Sequence, residues 1–130
     1  MKTKPAKTFA IYYHDAYIGV EVWGDDDDLR AHLKSLGHID ADNTDTIAYA
    51  APEPKETSPK DHGKIYFCES YLTIDTVAHE AVHLALGLIR RIDGVTEIAA
   101  GWDDALPAEE RFCDIVGTLV RLMCNELGMR

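Results

Sequence analysis

Residues 77–92 constrain this chain more than any other stretch. Apolar residues recur there at helical spacing, so the segment must bury one face of a helix, yet His79, Glu80 and His83 stand inside it. Histidines four residues apart lie one turn apart on the same helical face, where both rings can aim a nitrogen at one point. Zinc accepts imidazole nitrogens at about 2.0–2.1 Å and keeps a position open for water in catalytic sites. In this HExxH arrangement Glu80 stands beside that water and can take its proton once the ion has lowered its pKa towards about 7. The competing reading is a pair of core histidines hydrogen-bonded internally. It would leave Glu80 as a carboxylate on a largely apolar helix with no basic neighbour in sequence, a costly placement.

The surrounding pattern is that of an α+β chain. Residues 8–24 are rich in β-branched and aromatic types and alternate Ile18, Val20 and Val22 with Gly19, Glu21 and Trp23, which predicts one or two strands with a bend at His14 and Asp15. The acids at 25–28 precede Leu29, Leu33 and Leu36, so a short amphipathic helix is expected over about 25–36, with Gly37 closing it. Strands are predicted at 46–51 and 65–70, separated by a Pro-rich polar loop over 52–63, and residues 1–7 read as a flexible lead-in. A helix over 74–91, capped by Thr73 or Asp75, and another over 107–127 complete the order. The expected fold is one domain over 1–130: a small three-stranded, mostly antiparallel sheet packed on the HExxH helix and a C-terminal helix.

A zinc site needs a third protein ligand. A histidine six residues after His83 would supply one known solution, but that position is Ile89, and the other histidines lie upstream. A carboxylate from the start of the last helix is the simplest geometry, with Glu110 the first choice and Glu109 the second. Cys113 and Gly117 share the Glu110 face, and Ala81, Ala85 and Gly87 thin the partner helix, a pattern that predicts close approach. Asp114 lies on that face as well, as a candidate acceptor for a ligand imidazole N–H. The alternative role for Glu109 and Glu110 is to complement a helix N-terminus.

The segments TVAHEAVHLAL and EERFCDIVGTL together resemble the small zinc metallopeptidases of phages and mobile elements, the ImmA/IrrE-type family. The resemblance covers about residues 65–125. It implies a zincin-like fold of gluzincin type, with His79, His83 and Glu110 as zinc ligands and Glu80 as catalytic base. It also implies a cytosolic protein or peptide substrate as the partner. Cys113 stands where the family usually has alanine, and Asp114 where its best-known members have asparagine. In many zinc peptidases the strand beside the zinc helix receives substrate as an added strand, which would make 65–70 the binding edge. His62 or Tyr71 would then be placed to steady an oxyanion, and Trp102 to line the cleft or anchor its loop.

Thirteen Lys and Arg against 23 Asp and Glu leave a net charge of −10, so nucleic-acid binding through bulk electrostatics is not expected. No 18-residue apolar run exists, so no membrane span is expected either. The N-terminus shows no secretory pattern, and three cysteines without a paired spacing read as reduced, mostly buried thiols in a cytoplasmic protein. The acids at 25–28 lack calcium-loop spacing and read as a solvated helix start. Tyr12, Tyr13, Tyr17 and Trp23 read chiefly as core. Two other functions fit the composition: a catalytically silent protein whose zinc staples two helices around a bound peptide, and an acidic mimic of nucleic acid, which would need no metal.

Overall fold

The alternating segment folds as a hairpin. β1 (Lys7–Tyr13) and β2 (Ala16–Trp23) pair antiparallel from Lys7↔Val22 to Tyr13↔Ala16. His14, at φ +52°, makes the tight turn between them. The computed structural model describes residues 4–51, 61–93 and 106–129. After the hairpin come α1 (Asp26–Ser35), β3 (Ala48–Ala51), β4 (Asp61–Cys68), a single 3₁₀ turn at Glu69–Tyr71, α2 (Ile74–Asp93) and α3 (Leu106–Leu127).

Among the described residues the sheet has four strands, not the three expected, in the order β1-β2-β4-β3. Its outer pairings are antiparallel, but β2 and β4 run parallel. A parallel pair needs a long crossover, supplied here by α1 and β3. β4 therefore lies inside the sheet, and β1 and β3 are its edges. Several sequence boundaries also move: the strand expected over 46–51 starts at Ala48, and residues 69–70 of the strand expected over 65–70 lie in the 3₁₀ turn. Lys7 opens β1 rather than ending a lead-in, and residues 61–63 belong to β4 rather than to the polar loop.

Both faces of the central strands are covered. On one, Ile18, Val20, Ile65 and Phe67 pack with Val77, Leu84 and Leu88 of α2 and Ile115, Leu119 and Met123 of α3. On the other, Trp23, Tyr66 and Cys68 pack with Leu29 and Leu33 of α1. Burial on two faces is why β4 reads as an unbroken apolar run. Tyr13 and Trp23 are core as expected, whereas Tyr12 and Tyr17 are exposed and meet edge to face. Among the described residues, no helix is long and apolar enough to cross a membrane.

The caps follow their local chemistry. Asp25 Oδ1 accepts from the Asp28 N–H at 3.0 Å and starts α1, with Asp26, Asp27 and Asp28 in its first turn. Arg30 offsets part of that negative charge by pairing with Asp26 and Asp27. Gly37, at φ +75°, lies just beyond α1. Thr73, rather than Asp75, supplies the hydroxyl that accepts from the Thr76 N–H at the start of α2. Asp25→Ala is expected to lower stability by about 1 kcal/mol in urea unfolding, and Asp25→Asn to keep most of it.

Candidate metal centre

The buried face of α2 fixes where its histidines go. Val77, Ala81, Leu84, Ala85, Leu88 and Ile89 are all in the core. That spacing turns His79, Val82, His83 and Leu86 outward as one exposed stripe. Glu80 sits at the boundary between the two faces, 6% exposed. Burial pushes its carboxyl above the ordinary carboxylate range, opposed by His79 and then His83.

The two imidazoles converge. His79 Nε2 and His83 Nε2 are 3.3 Å apart, with ring centroids 4.9 Å apart and planes at 69°. Two nitrogens bound tetrahedrally to one ion at about 2.05 Å each would stand about 3.3 Å apart, so the pair fits zinc. As a direct N–H···N bond the same distance is long.

Two clefts that share part of their lining open here, one of about 340 Å3 onto both histidines and one of about 500 Å3 onto His79. Both are lined by Ala48, His79 and Glu80; the smaller adds Tyr49, Ala50 and His83, and the larger adds Asp45 and Asp75. The strand beside the histidines is thus β3. The expected binding edge at 65–70 is corrected: β4 is hydrogen-bonded to β2 on one side and β3 on the other, so its backbone has no free edge. A strand expected over 46–51 is found at Ala48–Ala51, but its neighbours are not legible in the sequence, because periodicity says nothing about which strands pair.

The start of α3 is arranged differently from the expectation. Ile115, Leu119 and Met123 form its buried face, while Glu110, Cys113, Asp114 and Gly117 are exposed. A Cβ added at Gly117 would meet nothing within 4 Å. The small-residue stripe therefore does not form the close helix contact that the sequence predicts. Glu109 is half-buried. Asp114 Oδ2 accepts a long 3.4 Å hydrogen bond from the Tyr13 hydroxyl, and the Arg111 guanidinium lies 5.8 Å from the centroid of the same ring. These contacts tie α3 to β1. Among the described residues, no group of three His, Cys, Asp or Glu side chains is placed to hold an ion, so Glu110 is not gathered with His79 and His83. Tyr71 is exposed in the 3₁₀ turn. Trp102 and the His62 side chain lie outside the described residues.

No family model, curated protein or solved structure matches the chain.

Proposed function

We propose that this chain is a zinc-dependent peptidase of the HExxH class. One observation carries the reading: two imidazole nitrogens 3.3 Å apart, beside a buried carboxylate, at the wall of a cleft bounded by an edge strand. His79 and His83 would hold the zinc, which when bound supplies Lewis acidity to a carbonyl oxygen and to water. Glu80, kept from full hydration, takes the proton of the attacking water and passes it to the leaving amine nitrogen. Among the described residues nothing pairs with the outer edge of β3, whose backbone N–H and C=O groups an extended peptide can pair with, setting its backbone across the histidines. Glu110 remains the third donor that the family resemblance implies. A zincin-like arrangement, a protein or peptide substrate and a cytoplasmic setting belong to the same proposal.

The test is cleavage of a mixed peptide library by the zinc-loaded chain, with products read by mass spectrometry. Peptides should be cut at defined bonds, cutting should stop with chelator, and zinc should restore it. Titrating zinc into Glu110→Ala and Glu109→Ala identifies the third donor as the variant that loses affinity by about 10-fold or more. A chain that binds one zinc and cuts no peptide overturns the enzymatic reading and leaves a zinc-stapled binding protein.

A further inference from the structure

A second cleft, of about 480 Å3, opens on the opposite side of the sheet, beside α1. We propose that it binds a small aromatic carboxylic acid, with the ring held by tyrosine and leucine walls and the carboxylate by Lys64. Its floor is formed by β2 and β4, and its lining includes Tyr17, Glu21, His32, Leu36, Lys64 and Tyr66. The volume lies in the range of small-molecule sites, and the mixture of flat rings with few polar groups is typical of them.

The hydrogen-bonding inventory selects the ligand. Among the described residues of the lining, Glu21 is the one carboxylate, and it is already engaged. Its Oε1 accepts from the Trp23 indole N–H at 3.0 Å and lies 3.7 Å from His32 Nε2, while its Oε2 pairs with Lys64 Nζ at 2.5 Å. The ammonium of Lys64 has three N–H donors, so donors remain after Glu21 is served. The Lys64 side chain is still 40% exposed, open to a ligand. Burial, then Glu21 and Tyr49, push the Tyr66 phenol up to about 12, so it is an O–H donor at neutral pH. Among the described residues lining the cleft, Glu21 is the single negatively charged acceptor for these donors. Glu21 within it and the chain's net charge of −10 oppose a second negative charge, which favours a carboxylate over a phosphate ester.

The apolar walls select the ring. Tyr17 and Leu36, 38% and 49% exposed, are among the larger apolar surfaces left uncovered on this side. His32 and His38 extend the ring surface, the first tilted on Trp23 and the second stacked on Tyr49 at 5.0 Å, both within 6 Å of Tyr66 by ring centroid. Gly19 leaves room for this geometry. A Cβ there would come within 3.3 Å of Lys64 Cε, so the bare backbone lets the lysine stem lie across β2 and reach Glu21.

The experiment is titration of the full chain with 4-hydroxyphenylacetate and with its neutral amide, followed by the 15N–1H resonance of the Trp23 indole and the amides of Gly19 and Lys64. The acid should shift these resonances saturably and bind about 10-fold or more tightly than the amide. Lys64→Met should remove that preference while leaving weak ring binding, and His79→Ala should change nothing, which separates this site from the metal centre. Equal affinity for acid and amide overturns the assignment, as does the absence of any shift at about 10 mM ligand. A peptide ending in tyrosine that binds more tightly than the free acid would identify a chain terminus as the source of the carboxylate.

Discussion

Glu80→Gln is expected to retain one zinc per chain and to lose peptide hydrolysis by about 10²–10⁴-fold. Gln has nearly the same shape as Glu and fills the same boundary position on α2, so the packing of Val77, Ala81 and Leu84 beneath it is undisturbed. What it cannot do is accept and return a proton. The imidazole pair is untouched, so metal content measured by elemental analysis should equal that of the wild type. A second outcome follows for KM. In the proposed mechanism the edge of β3 holds the peptide and Glu80 acts only on the attacking water, so the loss should fall on kcat with KM nearly unchanged. A variant that cuts as fast as the wild type would remove Glu80 from the mechanism. A variant that loses both zinc and activity would place Glu80 among the ligands instead.

The orientation of the histidine pair is legible in the sequence. The i, i+4 histidines and the apolar face behind them leave α2 one orientation, and the exposed stripe His79, Val82, His83, Leu86 follows from it. The carboxylate between the faces was legible for the same reason. The remainder depends on long-range pairing, which local periodicity does not encode. β2 and β4 both show strand signals, but their parallel register comes from the crossover through α1 and β3. That register moves the free edge from β4 to β3 and so relocates the expected substrate strand. The face of α3 was misjudged for a related reason. Small residues at 113 and 117 indicate close packing only if that side faces another helix, and the bulkier series Ile115, Leu119 and Met123 won the core. The second cleft had no sequence motif, because Glu21, His32 and Lys64 come from three elements that meet only in the fold.

His79→Ala separates a metal site from a structural histidine by where the stability goes. For the wild type, zinc that binds only the folded chain should add about 4 kcal/mol when its concentration is a thousandfold above Kd, with a rise in Tm on the order of 10 °C. In His79→Ala that increment should vanish, because one imidazole cannot hold the ion with comparable affinity. The metal-free comparison carries equal weight. His79 is exposed and supports no core contact, and alanine is the better helix former, so without metal the variant should melt within about 0.5 kcal/mol of the wild type or slightly above it. If the histidines instead served the fold through the 3.3 Å contact between their rings, the order would reverse: the variant would be weaker in chelator, and added zinc would stabilise neither chain. Calorimetric melting of both chains, with zinc and with chelator, distinguishes the two, because a ligand's stabilisation depends on its concentration and an internal contact's does not.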